Sequence, residues 1–370
     1  VRIAVNTRLL LSGKLDGIGW FSHEVLKRLV AMRPEDEFLF LFDRTFDDEF
    51  IYSDNVWAKE LFPQARHPLL YRMYFEYSVP KALKQWKADL FFSPDGFLST
   101  RTRVKQIPVI HDINFEHRPQ DLPKSYSSYY RSYFPEFAKR ADKIITVSEF
   151  SANDISDTYG VDRSKIHVAH NGFNPAFRQL KPIEITEAKA KYARNADYFL
   201  FVGNFSYRKN IHGIVKAYDQ YKTSGGTSKL VLVGNPLWHY KEMDEALAQS
   251  MYAEDIIFPG HLAINDLVLA MGGAKALLFP SYFEGFGIPI IEAFAAGTPV
   301  ICSDVTSIPE VAGDAALYAG PEDIEQISEH MLAIEKNISL AETLKKQGLQ
   351  RKLNFSWDIT ANKVNDTLFS

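Results

Sequence analysis

Two carboxylates, Glu284 and Glu292, lie within the segment FPSYFEGFGIPIIEAFAAGTPVI at 279–301. They stand eight residues apart, about two helical turns, so on a helix starting near Ile288 they can contact two parts of one extended ligand. Gly285, Phe286 and Gly287 form the turn before that helix. Glycine lets backbone approach a ligand closely, and the first N–H groups of the helix then point at it, a setting that suits an anion or a polyhydroxylated ring. An isolated glutamate is more often a solvated helix residue or a cap. Here an apolar strand pattern precedes the pair and an apolar helix surrounds it, which favours a ligand role.

A second group of candidates follows the apolar run 198–203, where Arg208 and Lys209 occur in YRKN. Two fixed cations suit a diphosphate and would offset charge developing on a leaving phosphate. Cations at a helix start are mildly disfavoured by the helix dipole, so helix stability does not explain them. Asn204, just after Gly203, can hydrogen-bond a phosphate without adding charge. His111 and Asp112 end the strand expected at 107–110, at its C-terminal edge. Gly17 and Gly19 are expected in the loop after the first strand, before a helix at 20–32, where their N–H groups could meet a phosphate. The same GIGWFS stretch suggests a dinucleotide fingerprint, but Ser22 stands where its third glycine belongs. No Asp-x-Asp or His-x3-His occurs and the histidines are dispersed, so no metal site is expected.

The elements that must position these residues read as alternating short strands and longer amphipathic stretches, the pattern of parallel sheets covered by helices. One strand series is 1–7, 37–42, 89–93, 107–110, 143–147 and 166–169; a second is 198–203, 229–233, 256–259, 276–280, 299–302 and 315–318. In the 20–32 helix, Phe21, Val25, Leu26, Leu29 and Val30 share one face. The stretch 174–197 holds Pro175 and Pro182 and shows no strand pattern, which places a linker near 175–190. The expected domains are 1–175, 190–355 and a C-terminal helix, 356–370, returning to the first domain. A further helix is expected at 339–353 with a Ser339/Glu342 capping box. The halves echo each other: KADLFFSPDGF at 87–97 and AKALLFPSYFEGF at 274–286 both run from a buried strand through Ser and Pro to a Gly–Phe turn. The fold class is α/β, two doubly wound Rossmann-like domains facing across a cleft, with ligands expected beyond the C-terminal edges of the sheets.

EGFGIPIIE with AFAAGTPVI resembles the glutamate-x7-glutamate signature of retaining, nucleotide-sugar-dependent glycosyltransferases of the GT-B fold, group 1, which include bacterial mannosyltransferases. The resemblance extends along nearly the whole chain, through DGIGWF, IPVIHDI, KIITVSEFS, VAHNGF, FVGNFSYRKN, VLVG and IPEVAGDAALY. It implies that Glu284 contacts hydroxyls of the transferred sugar, Glu292 the ribose diol, Arg208 and Lys209 the donor diphosphate, and His111 the reacting sugar or nearby phosphate. Many relatives carry an Arg where this chain has Asn204, so the phosphate grip differs in detail. The resemblance implies a nucleoside diphosphate sugar as co-substrate, GDP-mannose ahead of UDP-glucose or UDP-N-acetylglucosamine. It also implies no further cofactor, no metal, and a glycan or lipid-linked glycan acceptor on the N-domain side.

Composition narrows the alternatives. With 370 residues, 42 Lys and Arg against 46 Asp and Glu, and a net charge of −4, the chain lacks the basic excess of a nucleic-acid binder. A single cysteine, Cys302, permits no internal disulfide and suits a reducing, cytoplasmic setting. The opening VRIAVNT reads as a strand rather than a signal peptide, and no apolar run is long enough to span a bilayer. Membrane contact would therefore be peripheral. Residues 66–87 mix Arg66, Arg72, Lys81, Lys84 and Lys87 with Leu69, Leu70, Tyr71, Tyr74, Phe75 and Trp86. Such a stretch either packs as core or rests on an anionic membrane, and aromatic residues at 126–134 could line the same side.

Overall fold

Short strands of three to five residues carry the site loops. In a computed structural model of the chain, which describes residues 1–235 and 240–370, β1 (Arg2–Asn6), β2 (Glu37–Phe42), β3 (Val56–Glu60), β4 (Leu90–Ser93) and β5 (Lys105–Pro108) form one parallel sheet ordered β3-β2-β1-β4-β5. A two-stranded sheet of β6 (Ile144–Thr146) and β7 (Ile166–Val168) adjoins it through a parallel bridge between Val109 and Ile145. The second sheet contains β8 (Tyr198–Val202), β9 (Lys229–Val233), β10 (Ile256–Gly260), β11 (Leu277–Phe279), β12 (Val300–Ser303) and β13 (Ala316–Ala319), ordered β10-β9-β8-β11-β12-β13 and parallel throughout. Both are doubly wound Rossmann-like sheets. Their strand order reverses between β1 and β4 in the first and between β8 and β11 in the second, and a crevice opens beyond the strand ends at such points.

The central strands are apolar on both faces because helices cover both sides of a parallel sheet. All four residues of β4 are buried. Helix Gly17–Met32 covers the first sheet with Phe21, Val25, Leu26 and Leu29, all fully buried, each contributing about 1.5–3 kcal/mol. That helix starts earlier than the 20–32 expectation. Gly17 and Gly19 are not in a loop but in its first turn, because Asp16 caps the helix with its Oδ1 accepting from the Gly19 N–H at 2.9 Å. The edge strand β3 escaped the sequence reading, since only Val56 of its five residues is buried and no alternation stands out.

The chain divides into unit 1, Val1–Gly172 with Ser356–Ser370, and unit 2, Phe173–Phe355. The division falls at 172/173 rather than within 175–190, and the stretch expected as linker joins unit 2 as helix Pro182–Ala193, where Glu184 accepts from the Lys181 N–H at 2.8 Å. Helix Ile338–Arg351 is capped by Asn337, whose Oδ1 accepts from Leu340 N at 3.0 Å, in place of the expected Ser339/Glu342 box. Helix Trp357–Phe369 is capped by Ser356 and packs in unit 1, with Trp357, Ala361 and Val364 buried and the Thr360 hydroxyl donating to the His170 carbonyl at 2.6 Å. This docking needs a bare backbone at Gly172, where a Cβ would lie 2.3 Å from Trp357 N and 2.6 Å from Ser356 C. Backbone atoms cannot yield as a flexible side chain can. Gly172→Ala is therefore expected to cost unit 1 at least about 2 kcal/mol and to lower its melting midpoint by about 5 °C or more. A midpoint within about 1 °C of wild type in thermal denaturation would refute this packing.

Candidate functional site

In unit 2 the loops after β8 and β11 meet at the reversal point. Tyr282 N donates to the Arg208 carbonyl at 2.9 Å, tying the two loops together. Asn210 caps helix Ile211–Thr223 by accepting from Gly213 N at 3.1 Å, while its Nδ2 donates to the Pro280 carbonyl at 3.1 Å and the Pro321 carbonyl at 2.5 Å. The polar residues are thus held from both sides. Arg208 Nη1 lies 2.7 Å from Glu284 Oε2 and also donates to the Phe283 carbonyl at 2.7 Å, and Lys209 Nζ lies 2.6 Å from Glu284 Oε1. Lys209 and Glu284 are buried and Arg208 is part-buried. Burial by itself would raise the Glu284 pKa, but the charges of Arg208 and Lys209 outweigh it and hold the carboxyl at about 2. With two cations for one carboxylate, the cluster carries a net positive charge.

Gly287 has φ 111°, a conformation that favours glycine, and its turn launches helix Ile288–Ala296. Among the described residues no side chain caps that helix start. Ser307 Oγ braces the turn by donating to the Glu284 carbonyl at 2.8 Å and the Phe286 carbonyl at 3.1 Å, and Thr306 Oγ1 accepts from Glu284 N at 3.2 Å. The Phe286 side chain is buried edge-on to Phe355 with ring centroids 5.6 Å apart. Glu292 is the one charged residue of the helix, part-buried, and burial alone pushes its carboxyl up to about 8. Asn204 follows β8 with its Oδ1 buried and without a partner among the described residues.

Unit 1 holds the remaining candidates. His111 lies beyond β5, its Nε2 2.8 Å from the Pro94 carbonyl and its ring edge-on to Phe21 at 5.0 Å. A carbonyl only accepts, so Nε2 carries the proton and Nδ1 is left as an acceptor. Burial lowers the His111 pKa, outweighing the Pro94 carbonyl and the nearby Asp112, Asp95 and Asp16, so the ring is neutral near pH 7. Gly17 is exposed, but the Gly19 N–H is taken by Asp16, which corrects its reading as a phosphate donor.

The structure therefore brings Arg208, Lys209 and Glu284 into direct contact, puts Gly285, Phe286 and Gly287 in the adjoining turn, and leaves His111, Gly17 and Gly19 in the other unit. Sequence reading missed Thr306 and Ser307, hydroxyls that no pattern distinguishes. It also missed the stacked rings of Tyr207 and Tyr282, 5.7 Å apart, although Tyr207 opens YRKN and Tyr282 stands two residues before EGFG.

Residues 183–351 match the family described as "Glycosyl transferases group 1" and residues 15–177 match "Glycosyltransferase Family 4". The chain is 30% identical over 364 residues to O-antigen chain mannosyltransferase B of Escherichia coli, covering 95% of each chain. It is 33% identical over 221 residues to O-antigen chain mannosyltransferase RfbU of Salmonella typhimurium, covering 59% of this chain and 57% of that one. Among solved structures, Anabaena HepE in complex with UDP-glucose superposes with a TM-score of 0.77 at 17% identity, covering 99% of each chain, a likeness that shows the fold.

The raised Glu292 pKa has a stability consequence. Its folded value of about 8 exceeds the ordinary 4.5, so the folded state keeps a proton that the unfolded chain loses. The associated stability is full below about pH 4.5 and is lost as pH rises through about 8. Glu292→Gln removes this titration, so its melting midpoint should gain on wild type steadily between about pH 5 and pH 8 and then hold a constant lead. Parallel midpoint curves for the two proteins would show that Glu292 is ionised without penalty.

Proposed function

Since the chain belongs to the group 1 glycosyl transferases and has their GT-B fold, we propose that it is a retaining, metal-independent transferase that moves mannose from GDP-mannose to a hydroxyl of a glycan or lipid-linked glycan acceptor. Glycosyl transfer in polysaccharide synthesis is the coarser statement that its relatives support. One observation carries the finer one: Arg208 and Lys209 converge on Glu284 with one positive charge in excess, at the reversal point of the unit 2 sheet. A diphosphate draws on both cations, and a carboxylate beside them accepts hydrogen bonds from sugar hydroxyls. Glu292 takes the ribose diol two turns along the helix.

In the reaction the bond from the anomeric carbon to the leaving phosphate oxygen breaks, and a bond to the acceptor oxygen forms on the same face. The acceptor proton passes to the departing phosphate. Arg208 and Lys209 offset the charge that accumulates on that phosphate, the work that a divalent ion performs in other sites. Mannose as the sugar is supported by the E. coli and Salmonella relatives, both mannosyltransferases; UDP-glucose, bound in the Anabaena structure, is the competing donor. A donor panel with the purified chain should give transfer from GDP-mannose that survives chelation, and Lys209→Ala should lower kcat about a hundredfold. Transfer from UDP-glucose alone, or activity lost to chelator and restored by Mg²⁺, would overturn the donor or the metal reading respectively.

The acceptor side bears on residues 66–87. The structure sorts this stretch: Tyr71, Tyr74 and Phe75 join the core, while Leu69, Met73 and Tyr77 are 63%, 45% and 56% exposed beside the exposed Arg72, Lys81 and Lys84. Among the described residues no helix is long and apolar enough to cross a membrane. Exposed apolar and basic side chains together fit peripheral contact with an anionic bilayer, at about 1 kcal/mol per cation near the surface. The chain should co-sediment with anionic vesicles at low salt and release as salt rises, and neutralising Arg72, Lys81 and Lys84 together should weaken binding. Retention in the supernatant at low salt would remove membrane contact from the proposal.

A further inference from the structure

The echo between 87–97 and 274–286 has a structural counterpart. In unit 2 the acid–Gly–Phe turn after β11 supplies Glu284 to cations that follow β8; in unit 1 the acid–Gly–Phe turn after β4 supplies Asp95 to Arg8, two residues past the end of β1. Both pairs stand where their sheet reverses order, beyond the C-terminal ends of the two central strands. Arg8 is only 7% exposed. Its Nε donates to Asp95 Oδ2 at 2.5 Å and its Nη1 to the Ala65 carbonyl at 3.1 Å, and the rings of Phe97 and Tyr71 lie 4.4 and 5.0 Å from its guanidinium carbon. Asp95 is fully engaged, because its Oδ1 also accepts from Asn6 Nδ2 at 2.6 Å, Ser93 Oγ at 3.1 Å and Phe97 N at 3.3 Å.

One donor remains. Arg8 Nη2 has no hydrogen-bond partner among the described residues, and it is not among the buried atoms left without one, so it keeps contact with solvent. Such a guanidinium, locked by a carboxylate and stacked on rings, is held in advance for a ligand oxygen. The charge count indicates which oxygen. Arg8 and Asp95 cancel, whereas Arg208, Lys209 and Glu284 leave one positive charge over, so the unit 1 pair suits a neutral acceptor and the unit 2 cluster an anion. The Tyr71 and Tyr130 side chains lie within electrostatic reach of Arg8, and the part-buried rings of Tyr126 and Tyr130, 6.4 Å apart, adjoin Tyr71 and Phe97. Hydroxyls and ring faces beside a fixed donor match a sugar.

We propose that Arg8 and the tyrosines around it form a sugar subsite for a neutral glycan acceptor, with Arg8 Nη2 donating to a sugar oxygen and Asp95 acting as a positioning residue. The assignment rests on the reading of unit 1 as the acceptor side. It is tested by calorimetric titration of the full chain with α-linked mannobiose, without donor, and separately with GDP. Arg8→Lys keeps a cation opposite Asp95 but removes the guanidinium with its Nη2, and should weaken mannobiose about tenfold or more while GDP affinity stays at wild type. Tyr130→Phe, which removes only a hydroxyl, should weaken mannobiose about threefold and decides the matter if Arg8→Lys fails to fold.

Mannobiose affinity unchanged in the folded variants, or GDP affinity falling in step with it, would overturn the proposal. So would a wild-type preference of more than about tenfold for mannobiose phosphate over mannobiose, which would make the site an anion site. Wild type that binds mannobiose yet transfers nothing from GDP-mannose supports the subsite and sinks the donor reading. Wild type that binds neither mannobiose, isomaltose nor chitobiose sinks the subsite and leaves the donor reading standing.

Discussion

The contact between Glu284 and the two cations Arg208 and Lys209 is the interaction around which unit 2 is organised. Removing three charges from water costs several kcal/mol per ion, and only close geometry repays it. Each carboxylate oxygen takes one cation, and Arg208 spends part of its fork on the Phe283 carbonyl. The surrounding bonds exist to hold that geometry: Tyr282 N to the Arg208 carbonyl, Asn210 to the Pro280 carbonyl, Ser307 to two carbonyls of the acid-bearing turn. Neither loop can shift without breaking bonds to the other. The three groups together are thereby held in one fixed arrangement.

Unit 1 uses the same place in the same kind of sheet to a different electrostatic end. Arg8 and Asp95 close on each other, and the turn that carries Asp95 also offers the Pro94 carbonyl that fixes the proton on His111 Nε2. A single turn, Ser93 to Phe97, therefore sets both an arginine fork and a histidine tautomer. Replacing either partner of the buried pair would strand the other charge, at about 3–5 kcal/mol. That penalty explains why a pair contributing little net stability can still be needed for a defined crevice. The two units thus share a frame and differ in whether the charges at its reversal point cancel.

The central strands were legible in the sequence because burial on both faces writes them as uninterrupted apolar runs, as in EFLFLF and YFLFV. The edge strand VWAKE has one buried residue and writes no such signal. Gly17 and Gly19 read as loop residues from type alone, yet Asp16 in the N-cap position outweighs the glycine preference. At 337–342 two capping signals compete, and Asn337 wins by starting the helix where the chain leaves the preceding one. At the site, Glu284, Arg208 and Lys209 were legible as chemistry but not as partners. They lie some 75 residues apart, and only the pairing of β8 with β11 brings their loops together. The residues 66–87 carry two messages at once, apolar spacing for the core and cations for the surface, and only packing separates Tyr74 from Met73.

Glu284 and Glu292 show how far environment separates identical side chains. Cations hold one at about 2 and burial lifts the other to about 8, so near neutral pH the first is an ionised acceptor and the second a protonated acid that can also donate. The difference gives binding an internal order. An anion that draws Arg208 and Lys209 toward itself deprives Glu284 of its counter-charges while leaving it buried, and the carboxylate then needs hydrogen-bond donors. Sugar hydroxyls attached to that same anion are the nearest ones available. On the proposed donor reading, arrival of the phosphate end prepares Glu284 for the sugar end, and a free sugar, which brings no anion to draw either cation away, meets a carboxylate still paired with both.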